Sequence, residues 1–257
     1  MPAAPKQSEP PKLPAQSEQS HVPEPPRPVS RRGSVAASIA RAAFRPSLRS
    51  VPFWSCFVYS PKGSGYGSEA SRQLCARLKL VDPAWLPTYA AQVREQVSRN
   101  PAWARLFERP AVLVPVPSSS VPPGPVWAAE QLAFALRGIG LARSVWTGIN
   151  RHCAVRKSAT ARNLDRPTVQ QHYESFAIAA TLPESSHLQR IILVDDVITK
   201  GRTIFAAALR LHEAFPNADI RAFALVRTMG FLSNITHSLD PCHGVVRWAG
   251  GDVYREP

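Results

Sequence analysis

The segment Arg190–Leu211, RIILVDDVITKGRTIFAAALRL, places two adjacent carboxylates, Asp195 and Asp196, directly after a run of apolar residues. Neighbouring carboxylates repel, and burying either is costly, so such a pair calls for a ligand that donates hydrogen bonds to it or neutralises it. Within seven residues come Thr199, Lys200, Gly201, Arg202 and Thr203. The threonines offer hydroxyl donors, the two basic side chains add positive charge, and Gly201 lets the backbone come close to a bound group. Backbone N–H groups at the start of the next helix would favour an anion by about 0.3–2 kcal/mol from the dipole alone. Acceptors on one side and an anion cradle on the other match a ligand with hydroxyls at one end and a phosphate at the other.

These residues need a strand to carry them and a helix after them. The run from Arg190 reads as a buried strand ending at Asp195 and Asp196, with a loop over Val197–Arg202 and Thr203–Ala214 as the succeeding helix, and ligands of open α/β sheets sit beyond the carboxyl ends of such strands. The pattern predicts further strands at Val51–Tyr59, Ala111–Pro117, Leu141–Ile149, Phe176–Ala180 and Asp219–Arg227. Helices are expected over Glu69–Leu80, over the segment opened by Asp82 as N-cap with Pro83 at its first position, and over Val126–Gly140. In the second of these, Leu86, Tyr89, Ala90, Val93 and Val97 share one face. The polar stretch Asn150–Ser175 has no apolar period and reads as a loop, and Asp240–Gly244 (DPCHG) reads as a turn. Strands alternating with helices predict an α/β fold with a mainly parallel sheet flanked by helices.

Other readings of the acids are weaker. An apolar strand ending in Asp-Asp also occurs opposite a Walker A loop, but no G-x-x-x-x-G-K-[ST] is present. A receiver domain carries paired acids near its start, whereas these come after several elements. Adjacent His152 and Cys153 do not make a nucleophilic dyad, because neighbouring residues seldom face each other. His172 reads as a surface residue or as part of a pocket wall.

The segment IILVDDVITKGRT resembles the phosphoribosyl-diphosphate-binding motif of the type I phosphoribosyltransferases. The resemblance implies that Asp195 and Asp196 hold the ribose hydroxyls and that Val197, Ile198, Thr199, Lys200, Gly201, Arg202 and Thr203 form the loop around the 5-phosphate. Lys200 departs from the small residue usual there. VLVPVPSSS resembles the strand and loop that contact the diphosphate, through Pro117, Ser118 and Ser119. RHCAVRKSATA stands where the family has a small mobile hood, with Arg156 and Lys157 as the residues closing over the diphosphate. The order of elements is closest to the competence-type (ComF-like) branch, without that branch's four-cysteine zinc module. The resemblance thus implies a phosphoribosyltransferase that takes phosphoribosyl diphosphate, with Mg2+ held mainly by the substrate and a base or amine as acceptor. Asp195, Asp196, Arg156 and Lys157 would be its catalytic residues, and VVRWAGGDVYREP would contribute to the acceptor site. The alternative is a non-catalytic phosphoribosyl-diphosphate sensor, or an accessory protein in DNA uptake or handling.

The bulk composition fits an anionic partner. The chain of 257 residues carries a formal net charge of +13, which favours phosphates, nucleic acid or an acidic surface. Eleven of the 26 prolines fall in the first 53 positions, which predicts a disordered, Pro-rich basic tail over residues 1–50 and a folded domain over 51–257. Nucleic acid contact would run through that tail. The four cysteines are widely spaced, so a reducing, cytoplasmic setting fits better than a disulfide framework. No apolar run approaches the ~20 residues of a membrane span, and a homo-oligomer is left open.

Overall fold

The computed structural model describes residues 44–80, 84–108, 110–121, 127–156, 166–180, 189–230 and 234–257, all within one unit, Ala43–Pro257. The strands are β1 (Ser50–Tyr59), β2 (Val112–Pro115), β3 (Ser144–Val145), β4 (Ile149–Arg151), β5 (Phe176–Ile178), β6 (Arg190–Ile198), β7 (Asp219–Thr228), β8 (Leu239–Ala249) and β9 (Asp252–Glu256). The helices are α1 (Tyr66–Leu80), α2 (Leu86–Arg99), α3 (Pro101–Phe107), α4 (Ala128–Gly138), α5 (Val169–Ser175) and α6 (Arg202–Ala214). Seven strands form one sheet in the order β3-β2-β6-β7-β1-β8-β9, and β4 and β5 form a separate two-stranded sheet. The pairs β3–β2, β2–β6, β6–β7 and β7–β1 are parallel, while β1–β8 and β8–β9 are antiparallel. The protein is therefore an α/β fold with a mostly parallel sheet between helical layers.

β6 lies inside the sheet and is apolar on both faces. Ile191 and Leu193 pack into the core under α6, and Ile192 and Val194 into the core under α1 to α4. All four are fully buried, as expected of a parallel strand covered on both sides. α6 turns Ile204, Phe205, Ala207, Ala208 and Leu211 inward, and its run of alanines lets it sit close to the sheet. Among the described residues no helix is long and apolar enough to cross a membrane.

Several expectations are corrected. Residues 1–43 of the predicted tail lie outside the described residues, but order begins before position 51: Phe44 packs against Tyr173 and Trp248, with ring centroids 5.4 and 5.7 Å away. Asp82 and Pro83 also lie outside the described residues, and α2 starts at Leu86 with Pro87 in its first turn. Its Leu86, Tyr89, Ala90 and Val93 are buried, and Val97 packs partly against the core. The single strand expected over Leu141–Ile149 is two short ones, β3 and β4. Trp146 folds its ring over Gly148, where a Cβ would stand 1.8 Å from the indole, and this fold breaks the extended run. Asn150–Ser175 is not all loop: it contains β4's end and α5. Asp240–Gly244 is not a turn but the first half of β8.

Candidate functional site

The carboxyl end of β6 opens onto a solvent-open cleft lined by Asp195, Val197 to Ile204, and Arg166. Two elements create it. β6 delivers Asp195 to the rim, and the turn Thr199–Gly201 reverses the chain into α6. Gly201, with φ of 86°, is the N-cap of α6. A Cβ there would also meet the two Val246 methyls at 2.7 and 2.8 Å, so the position excludes a side chain twice over. Thr199 and Lys200 are exposed, and Arg202 and Thr203 are half-buried. The turn thus presents backbone N–H groups, the two threonines and the start of a 13-residue helix to one cavity.

The two acids have different surroundings. Both are half-buried, and each accepts the amide of the next residue: Asp196 N–H donates to Asp195 Oδ1 and Val197 N–H to Asp196 Oδ1, both at 2.9 Å. Asp195 lines the cleft and feels the charge of Arg151. Asp196 does not line it; its charge reaches Cys75 on α1 and helps burial push that thiol up to about 12. Successive strand residues alternate between faces, which accounts for the split. Burial, and then the Asp196 charge, hold the Asp195 carboxyl well above the usual carboxylate range, and Arg151 only partly offsets this.

Pro117, Ser118 and Ser119 do not line the cleft, but they lie beside it. The β2–β6 ladder continues past β2, with Val116 N–H donating to Val194 O at 2.8 Å. Arg151, 7 % exposed, joins this loop to the rest. Its Nε donates to Ser118 O at 2.8 Å, its Nη1 donates to Ser175 Oγ, and its guanidinium lies 4.3 Å from the Phe176 ring centre. Burial lowers its pKa to about 10, against the Cys153 and Asp195 charges. Arg156 is exposed, next to Val155, whose N–H donates to Ser119 O at 3.2 Å. Lys157 lies outside the described residues.

Arg202 is engaged as a brace. Its Nε donates to Asp252 Oδ1 at 2.8 Å, its Nη2 pairs with Asp252 Oδ2, and its Nη1 reaches Pro167 O at 3.1 Å and Arg166 O at 3.3 Å. Lys200 Nζ stands 3.9 Å from the same carboxylate. The hydrogen bond to Asp252 raises the Arg202 pKa. Burial would push the Asp252 carboxyl up, but the Arg202 hydrogen bond, the Val253 amide and the two cations hold it below its ordinary value. VVRWAGGDVYREP forms the end of β8 and all of β9. It supports the turn from beneath: Val246 under Gly201, Asp252 on Arg202, and Arg255 Nη1 on Ile198 O at 3.0 Å, where Thr228 Oγ1 also donates.

Sequence reasoning missed Arg151, Arg166 and Asp252. Arg166 lines the cleft, and its Nε is buried without a hydrogen-bond partner among the described residues. Neither arginine stands out from the basic residues around it, and Asp252 is brought to the turn only by the β8–β9 hairpin. His243 stacks on Trp54 at 4.3 Å, far along β8 from the turn residues, and His152 Nε2 contacts Glu174 O at 2.8 Å. Among the described residues no group of three His, Cys, Asp or Glu side chains could hold a metal ion. No protein-family model matches the sequence, and no curated protein does.

Proposed function

We propose that this protein binds phosphoribosyl diphosphate as the type I phosphoribosyltransferases do, and transfers the phosphoribosyl group to a base or amine. One observation carries the reading: a half-buried, charge-strained Asp195 and an amide-lined turn at a helix N-terminus share one cleft at the carboxyl end of an inner parallel strand. The turn Thr199–Thr203 would hold the 5-phosphate through its amides and the two threonine hydroxyls. Asp195 would accept hydrogen bonds from the ribose hydroxyls, with Asp196 behind it. In the reaction the bond from the anomeric carbon to the diphosphate oxygen breaks, and its electron pair leaves with diphosphate. The acceptor nitrogen's lone pair forms the new bond, and the acceptor's proton goes to solvent. Positive charge would grow on the sugar as the bond stretches and favour the ionised form of Asp195, and that carboxylate, with the Asp196 charge behind it, would stabilise the sugar in turn.

Pro117, Ser118 and Ser119 would face the leaving diphosphate, held in place by Arg151, and Arg156 and Lys157 would close over it. Magnesium would supply charge neutralisation on the diphosphate. Among the described residues Asp195 is the one carboxylate lining the cleft and no three-residue metal cluster exists, so substrate oxygens and water would make up most of the ion's shell, as is usual for this ion.

The test is calorimetry of phosphoribosyl diphosphate with magnesium against wild type and Asp195→Asn/Asp196→Asn, joined to a diphosphate-release assay over a panel of bases and amines. Binding by wild type that falls at least tenfold in the double variant, with release for one acceptor, is expected. Failure of wild type to bind removes the reading. Binding without release for any acceptor leaves a sensor, not an enzyme.

A further inference from the structure

α5 contributes one side chain that the chemistry above leaves unused. His172 is 3 % exposed and stacks on Phe176, with ring centroids 6.4 Å apart. Its Nε2 lies 3.4 Å from Thr203 Oγ1, and its Nδ1 is buried without a hydrogen-bond partner among the described residues. Burial, then the Arg151 and Arg202 charges, push its pKa down to about 4, so the ring is neutral at neutral pH. A neutral imidazole has one N–H and one lone pair. An orphaned buried N–H is rarer than an under-satisfied acceptor, so the proton belongs on Nε2 and the bare lone pair on Nδ1.

That choice decides the polarity of the threonine. With the proton on Nε2, His172 donates to Thr203 Oγ1, and the hydroxyl hydrogen of Thr203 has to point elsewhere. Thr203 lines the cleft. With the proton on Nδ1, the hydroxyl would donate to His172 and turn its lone pairs toward any anion in the cleft. We propose that His172 is a positioning residue that fixes the Thr203 hydroxyl as a donor into the cleft, so that the turn selects an acceptor-only oxygen, such as that of a phosphate ester, over a group that presents its own hydroxyl. The proposal rests on the anion reading of the Thr199–Thr203 turn. The 3.4 Å contact is long for a hydrogen bond, and a bound anion polarising the hydroxyl would shorten it.

The first experiment needs no ligand: nitrogen-15 NMR of the full chain reads the His172 tautomer directly, and a proton on Nε2 is expected. The second titrates ribose 5-phosphate by calorimetry. His172→Phe, which keeps the ring stack but has no donor, should weaken binding about 5- to 15-fold. His172→Gln, which restores an N–H, should return to within about threefold of wild type. Thr203→Val should lose as much as His172→Phe, and combining the two should lose little more, because both remove one unit. A proton on Nδ1, or His172→Phe binding as wild type does, overturns the role of His172 alone. A proton on Nε2 with no ribose 5-phosphate binding by wild type overturns the phosphoribosyl reading, and with it the anion as the partner of Thr203.

Discussion

Gly201→Ala is the most exacting test of how the turn is built. Gly201 has φ of 86°, and a left-handed backbone costs an L-residue about 1–2 kcal/mol relative to glycine. The new methyl would also stand 2.7 and 2.8 Å from the two methyls of Val246, which is fully buried and cannot swing into solvent. Overpacking of this kind costs about 1–3 kcal/mol. Together the two effects amount to about 2–5 kcal/mol, a large part of the roughly 5–15 kcal/mol typical of a folded protein. Val246→Ala alone should cost about 2 kcal/mol for the two methyl carbons removed. In Gly201→Ala/Val246→Ala the clash is gone while the left-handed strain stays. Denaturant unfolding of the full chain should therefore give a double-variant loss smaller than the sum of the singles by about 1–3 kcal/mol. Single losses that add to within about 0.5 kcal/mol would refute the packing of β8 against this turn.

Asp195→Asn should stabilise the ligand-free protein while weakening ligand binding. The native Asp195 carboxyl titrates above its unfolded value, so wild-type stability falls as pH rises from about 4 through the native titration point. Thermal melts should thus show no gain for the variant below about pH 4 and a growing gain above it that levels off; a variant less stable at neutral pH would show that Asp195 is a structural ion-pair partner instead. Asp252→Asn should do the reverse to stability. Its native pKa is depressed, so the loss, about 1 kcal/mol for a pair this exposed, is present at neutral pH and fades as pH falls through the native titration point. Removing that charge should also tighten ribose 5-phosphate binding about 2- to 5-fold at low salt and little at high salt; weaker binding would mean that Asp252 aims Arg202 at the ligand.

The centre of the fold is legible in the sequence because its signals are local. From Arg190 to Leu211 the apolar period changes from that of a strand to that of a helix across Asp-Asp, Thr, Gly and Thr, and the structure has β6, the turn and α6 there. α5 escapes a reading by apolar period because the stretch around it is polar, although its start is written in the sequence: Thr168 and Gln171 form a reciprocal capping box. α3 is only seven residues long and rests on an Asn100 cap with Pro101 next to it. Asp240–Gly244 looks like a turn because it holds a proline and a glycine. β9 pairs only with Val245–Ala249, so the first half of β8 bonds on one side alone, and Pro241 is tolerated there as on an edge strand. Gly244 is needed because a Cβ would meet Glu256 O at 2.2 Å. Such constraints come from residues distant in sequence, and no local pattern encodes them.

The basic residues of the turn show the same limit in the site itself. By composition, Lys200 and Arg202 look like the charges that would hold a phosphate. In the fold Asp252 engages both, and Arg202 is further tied to the carbonyls of Arg166 and Pro167. Its charge is largely compensated before any ligand arrives, which leaves the amides of the turn, the hydroxyls of Thr199 and Thr203, the dipole of α6 and the Arg166 side chain to face an anion. Amides fixed by a glycine N-cap cost no reorganisation when a ligand enters, whereas a free lysine or arginine would have to give up rotamer freedom to bind. A cradle built mainly from fixed dipoles also loses less affinity to added salt than one built from mobile charges. The +13 charge of the chain is therefore not what makes this turn a candidate anion site; the geometry that β6, β8, β9 and α6 impose on residues 199–203 is.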